Sequence, residues 1–371
     1  MPAPRPPSIL EALTPDEQDR LLKLGFDATR FDSLVALLQA DAVPSNIVRG
    51  ELTMPPQDTL RSPPEAQSAG GRSLASEGAH LLSSGKAALV LLNGGMATRF
   101  GGRVKGVVDA LPGRSFLGLQ AQRLASFFAD GASGPALLLM NSEATDAETR
   151  AHLRDSDYFG LRAEDVFCFV QSGAPRLRPD GALYRDTAGE ISVYGPGHGD
   201  LVPALHRSGA LVWLKERGVE YLLMANVDNL GAGLDPRLLG HFATEGHSMM
   251  AEVVNRLPGE RGGAPCAVDG RVKIVEDFAF PPDFDKQAIP CFNTNTLWFR
   301  TAALTDDFPL QWYTVSKLAG GEPVVQFERL VGQLSWFLNT GWMRVGRERF
   351  LPVKTPEDLE AKQAAIRSLF G

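Results

Sequence analysis

The sequence predicts an α/β protein with a mixed, mostly parallel sheet, an N-terminal helical segment before it and an antiparallel insertion in its second half. Unbroken apolar runs, AALVLL, PALLLM, VFCFV, EYLLMA and SMMAEVV, suit strands buried on both faces. Helical patterns lie between them, and that alternation argues a parallel sheet covered by helices. Later, APCAV-Asp269-Gly270-RVKIV reads as a β-hairpin with a two-residue turn, and CFNTNTLWF as a further strand.

In chain order, Thr14 and Glu17 form a capping box with Pro15 at the first helical position and Gly25 as a stop. A second amphipathic run covers 31–40. From 53 to 85 the chain turns to Pro, Ser and Gly, which reads either as a linker or as an irregular wrap along the next domain. Helices are expected over 115–129 and 200–217, and another from a capping box at Thr145 and Glu148.

At 371 residues, 44% hydrophobic and 22% charged, the composition is that of an ordinary globular protein with a substantial core. Its net charge of −7 provides no basic field for nucleic acid. Cys168, Cys266 and Cys291 are far apart and odd in number, without zinc spacing, so reduced thiols and a cytoplasmic location are expected. No run is long and apolar enough for a membrane span. Lysines number nine, so a lysine in a glycine loop stands out.

Such a loop follows the run AALVLL: Asn93-Gly94-Gly95, then Gly101-Gly102, with Arg99, Arg103 and Lys105 around it. Glycines allow close backbone approach, and free N–H groups with cations there hold phosphate. The plainer reading is a tight turn with surface arginines. The spacing matches neither GxGxxG nor a Walker A loop, which argues against a dinucleotide-binding dehydrogenase and a P-loop NTPase. A second cluster, Tyr194-Gly195-Pro196-Gly197-His198-Gly199-Asp200, is either a ligand loop or a turn with Asp200 capping a helix. A third, Asn226-Val227-Asp228-Asn229-Leu230-Gly231, ends the run YLLMA. There Asp228 is placed either to hold a hard divalent cation or to close an Asx turn. In Phe292-Asn293-Thr294-Asn295-Thr296-Leu297-Trp298, strand alternation puts Asn293 and Asn295 on one face. Lys354, just before Thr355-Pro356, lies either at an anion-binding helix N-terminus or free in solvent.

These pieces, in this order, resemble the UDP-sugar pyrophosphorylase (UDPGP) family, the UTP:sugar-1-phosphate uridylyltransferases. Leu92-Asn93-Gly94-Gly95-Met96-Ala97-Thr98 is similar to the family's L-[NA]-G-G-x-G-T, with Ala97 for its third glycine and Val104 for the proline before its lysine. The segment Pro196 to Asp200 is similar to P-G-H-G-D. Asn226 to Gly231, Phe292 to Trp298 and Arg349-Phe350-Leu351-Pro352-Val353-Lys354-Thr355 resemble the wording of the glucose-active branch. The resemblance implies a Rossmann-like nucleotide-diphospho-sugar transferase fold. Its expected organisation is residues 1–85 as a helical segment plus connection, 86–345 as the nucleotidyltransferase domain, and 346–371 as a short closing segment.

It further implies that Leu92, Asn93, Gly94, Gly95, Gln171 and Gly197 contact the nucleotide. His198, Asn226, Glu252, Gly263, Asn293 and Asn295 would face the sugar phosphate. Arg99, Lys105, Lys354 and Asp228 would be catalytic, Asp228 through Mg²⁺. The reactants implied are UTP and glucose 1-phosphate, the products UDP-glucose and pyrophosphate, with no nucleic-acid or membrane partner. Eukaryotic glucose-active members continue into a C-terminal β-helix used in oligomer contacts; this sequence shows none, so a monomer or weak dimer is expected. The rival readings are a glycosyltransferase using a nucleotide-sugar donor and an inactive UDP-sugar-binding regulator, the latter motivated by Ala97 and Val104.

Overall fold

The computed structural model describes residues 8–128, 133–305 and 308–371; the side chains of Ala97 and Thr98 also fall outside the description. Eight strands form the main sheet: β1 (Leu60–Arg61), β2 (Ala87–Leu92), β3 (Ala136–Asn141), β4 (Val166–Val170), β5 (Tyr221–Asn226), β6 (Met249–Asn255), β7 (Cys291–Arg300) and β8 (Thr340–Arg344). Their spatial order is β1-β8-β6-β7-β5-β2-β3-β4. Strand β7 runs antiparallel to both neighbours, β5 and β6; every other neighbouring pair is parallel. The mostly parallel α/β sheet expected from the apolar runs is therefore present.

Period-two alternation sorts each strand between two cores. Leu89 and Leu91 of β2 join Leu223, Phe116, Phe242 and Trp298 on one face. Ala88 and Val90 join Leu138, Leu222 and Phe299 on the other. Burying each large side chain contributes about 1.5–3 kcal/mol. Both faces are apolar because helices cover both.

The N-terminal part begins with α1 (Pro15–Lys23) and α2 (Ala28–Gln39). Thr14 and Glu17 make the expected capping box. Leu21, Phe31 and Val35 pack with Leu177, Tyr194 and Phe327 in a separate core. Glu17 accepts two hydrogen bonds from Arg185, at 2.5 and 3.0 Å, which hold its carboxyl down at about 2.

The stretch 53–85 is irregular at 54–56 and 62–68, but it also holds regular elements. It supplies edge strand β1 and α3 (Ala69–Ser83), capped by the Ser68 hydroxyl, which accepts from Gly71 N–H at 3.0 Å. Later come α4 (Phe116–Ala125), α5 (Glu143–Asp155), α6 (Leu201–Arg207), α7 (Ala210–Glu216), α8 (Pro236–Thr244) and α9 (Pro356–Phe370). Helix α5 starts earlier than expected because Ser142 N–H donates to the Thr145 hydroxyl at 2.9 Å. The helix expected over 200–217 breaks into two at Ser208 and Gly209. The end expected for α4, residue 129, lies outside the described residues. The hairpin Ala264–Val268/Arg271–Val275 turns at Asp269 and Gly270, with φ of 50° and 76°, as a two-residue turn with both φ positive requires.

Helices α3 and α8 meet through glycine. A Cβ on Gly78 would lie 1.8 Å from the Pro236 carbonyl oxygen, and one on Gly240 would lie 2.0 Å from the Leu74 carbonyl oxygen. Adding one methyl there must force the helices apart. Gly78→Ala is expected to cost about 1–3 kcal/mol of stability by urea denaturation, the cost of overpacking a closed contact. An unchanged midpoint would show that the contact relaxes freely.

Candidate active site

The carboxyl ends of β2, β3, β4 and β5 open onto one cleft of about 1140 Å³. Strands of an open α/β sheet deliver their polar loops to this edge, where the strand order changes direction.

At one end lies Gln171, immediately after β4, with its N–H on the Asn141 carbonyl at 2.9 Å. A Cβ on Gly94 would sit 2.5 Å from its amide nitrogen, and one on Gly195 would sit 2.3 Å away. The amide is thus held between two glycines, and a side chain at either would displace it. Gly95 and Leu92 share this wall. Asp200 does not cap its helix through its side chain. It accepts from Ser172 N–H at 2.6 Å and from Arg329 Nη2 at 2.8 Å, pinning the loop that carries Gln171.

Further along the cleft are Lys105, Asp228 and Lys354. Lys105 is only 7% exposed, its ammonium has no hydrogen-bond partner, and it sits 3.7 Å from the Phe100 ring centroid. Burial pushes it down to about 8. Burial pushes Asp228 up, while Lys354 and Lys105 pull it back. Asn229 joins the two loops that carry these charges: its side-chain nitrogen donates to the Arg349 carbonyl at 3.3 Å, and its oxygen accepts from Leu351 N–H at 2.8 Å. Val353 N–H donates to the Asp228 carbonyl at 3.0 Å.

The remaining wall holds His198, Gly197 and Gly263, with the amides Asn226, Asn293 and Asn295. His198 Nδ1 accepts from Val331 N–H at 3.0 Å, which leaves the proton on Nε2. Burial pushes this ring down to about 4, so it is a neutral donor. Asn295 Nδ2 donates to Asn226 Oδ1 at 3.2 Å. Alternation places Asn293 and Asn295 together, as expected, with Thr294 and Thr296 buried between and beyond them, even though Asn295 has φ of 57° and the pairing with β6 shifts register here. Both Asn293 and Asn295 line the cleft.

Three expected site residues lie elsewhere. Asn93 is fully buried behind the loop, donating to Asn141 Oδ1 and Thr149 Oγ1, both at 2.8 Å. Glu252 is fully buried against Arg349 and Trp298 and does not line the cleft. Arg99 is exposed on the turn Thr98–Phe100, off the cleft wall, and Lys105 is the loop cation that lines it. The wall also carries groups the motifs did not signal: Glu276, Arg176, Lys317, Gln326 and Glu328. Glu276 follows directly on the second strand of the hairpin, and burial pushes it up to about 7. Near neutrality it is therefore able to donate or accept a hydrogen bond to a hydroxyl.

Among the described residues, no group of three or more His, Cys, Asp or Glu side chains is placed to hold a metal. A cleft carboxylate such as Asp228 suits Mg²⁺, which keeps its waters and takes one or two carboxylates plus substrate phosphates.

A family model described as UTP–glucose-1-phosphate uridylyltransferase matches residues 36–368. The enzyme of that name from Solanum tuberosum is 31% identical over 300 residues, covering 76% of this chain and 62% of the relative. The one from Musa acuminata is 31% identical over 330 residues, covering 85% and 68%. The chain spans 57–62% of the length of several such relatives. Two solved structures from Trypanosoma brucei share the fold. The UDP-glucose phosphorylase has a TM-score of 0.74 at 24% identity, covering 93% of this chain and 77% of that one. The UDP-N-acetylglucosamine pyrophosphorylase has 0.78 at 22%, covering 97% and 80%. By the family match, the relatives and the order of its motifs along one cleft, this chain belongs to the UTP–glucose-1-phosphate uridylyltransferase (UDPGP) family.

Proposed function

We propose that this protein transfers a uridylyl group from UTP to glucose 1-phosphate, giving UDP-glucose and pyrophosphate. The observation that carries this reading is one cleft that brings together the unpartnered Lys105 ammonium with Asp228 and Lys354, the amides Asn226, Asn293 and Asn295, and a glycine-bracketed Gln171. Such a cleft suits a polyanion with a planar base at one end and a sugar at the other.

In the proposed reaction an oxygen of the sugar phosphate attacks the α-phosphorus in line. The bond from that phosphorus to the β-bridging oxygen breaks, and pyrophosphate leaves with the electron pair. The attacking oxygen is already ionised, so the protein has no proton to remove. Its work is positioning and charge. Gln171 faces the base edge, Lys105 and Lys354 offset phosphate charge, and His198 Nε2–H donates to a phosphate or sugar oxygen. Asn226, Asn293, Asn295 and Glu276 match sugar hydroxyls. Asp228 is the residue that would hold Mg²⁺, which when bound would supply positive charge to offset that of the phosphates. A cytoplasmic setting accords with three free cysteines, whose thiols burial pushes up to about 11.

The direct test is pyrophosphate release from UTP with a panel of sugar 1-phosphates, with and without Mg²⁺. Release that needs both glucose 1-phosphate and Mg²⁺ is expected; binding of UDP-glucose without turnover would instead favour a regulator. Lys105→Ala and Lys354→Ala should each lower kcat/KM by about 10²–10³-fold, as loss of a preorganised cation does. The form of Lys105 that binds anion is the ammonium, present below about pH 8 and lost above it. So kcat/KM for UTP should fall above that pH, and Lys105→Arg should move the fall upward; a flat profile contradicts the assignment. Asn229→Ala leaves the buried Arg349 carbonyl without this partner, at about 1–3 kcal/mol, and the part-buried Leu351 N–H without its own. Its urea midpoint and kcat/KM should fall together, since Asp228 and Lys354 lose their common support.

A further inference from the structure

The family match begins at residue 36, yet two side chains from before it line the cleft: Arg20 of α1 and Leu24 at its end. Both sit at the Gln171 end. Arg20 grips Glu143 with two parallel bonds, Nε to Oε1 at 2.7 Å and Nη2 to Oε2 at 2.9 Å. Glu143 follows Ser142, whose N–H lies 3.4 Å from the point above Gly94 that also faces the Gln171 amide. From the other side, Gly173 N–H donates to the Leu24 carbonyl at 3.2 Å, two residues from Gln171. A Cβ on Gly173 would be 2.7 Å from Leu24 Cδ1, so the two chains already touch there.

Helix α1 is anchored at two points. Leu21 is fully buried and Glu17 is tied to Arg185, so Arg20 is presented to the cleft from an anchored helix. The clasp itself is half-exposed, at 41% for Arg20 and 37% for Glu143. Exposed ion pairs contribute little to folding stability. A bidentate arginine fork held beside a ligand cleft is better suited to shaping what binds there.

Resting on the uridylyltransferase reading, we propose that α1 is the end wall of the base subsite. The Arg20–Glu143 clasp and Leu24 close the cleft beyond Gln171 and set its preference for a uridine nucleotide over a purine nucleotide. A base against Gln171 has its outer edge toward α1, and a second fused ring has to displace the clasp.

The test is calorimetric titration of UTP and ATP into the full chain, its Arg20→Ala and Glu143→Ala variants, and the exchanged Arg20→Glu/Glu143→Arg pair. Each single variant should weaken UTP by about fivefold, the upper range for an exposed pair. Each should also narrow the preference for UTP over ATP, and the exchange should recover most of both. Loss of affinity for both nucleotides in equal proportion, with a lowered melting temperature, would show a merely structural clasp and overturn the proposal. Unchanged UTP affinity in both single variants would overturn it while leaving the uridylyltransferase reading intact. A wild-type protein that binds no uridine nucleotide would overturn that reading, and the wall with it.

Discussion

The cleft depends on a buried ion pair that does not itself touch it. Glu252 on β6 is fully buried and accepts from Arg349 Nε at 3.0 Å, Arg349 Nη2 at 2.6 Å and Trp298 Nε1 at 2.9 Å. Arg349 also donates to the Gly233 carbonyl at 2.9 Å. These bonds attach the segment that ends in Lys354 to the centre of the sheet. From there Asn229 and Val353 extend the attachment to the loop of Asp228. Removing one partner of such a pair costs about 3–5 kcal/mol, because the other charge stays buried alone. An acidic residue at this place reads naturally as a ligand group in sequence. Its full burial assigns it to support instead.

The same division of labour recurs around the site. Asn93, in the glycine loop, spends its amide on Asn141 and Thr149, so it joins the loop to β3 and α5. Asp200, in the second motif, holds the Gln171 loop and Arg329 together. Motif residues thus fall into those facing the cleft and those that fix the loops from behind. Spacing along the chain does not separate the two; only burial and partners do.

How much was legible follows from which signals are local. The apolar runs located the central strands, and the Asp269-Gly270 turn located the hairpin, because each depends on neighbours in sequence. Helix α3 was hidden because AGGRSLASEGAHLLS has the composition of a linker. Its small residues serve instead for close approach to α8, a tertiary requirement. The bulge at Asn295 and the inward position of Glu276 likewise arise from pairing between distant strands. The contribution of α1 to the cleft was equally invisible, since its helical pattern says nothing about what its ends meet.

The cleft holds one buried cation without a hydrogen-bond partner. Lys105 loses much of its hydration and receives in return two aromatic rings, at 3.7 and 4.6 Å, and the charge of Asp228, but no hydrogen bond. Cation–π contact offsets part of that loss, about 0.5–2 kcal/mol. On the proposed reading a phosphate oxygen would supply the rest, so that an anionic ligand relieves the disadvantage at which the ammonium is held. His198 shows the complementary case, since its ring is kept neutral and one nitrogen is already occupied by Val331. Its free N–H is therefore fixed in direction before any ligand arrives. Preorganised groups of this kind lose little on binding. That economy explains why so much of the surrounding chain is committed to holding loops rather than to touching ligand.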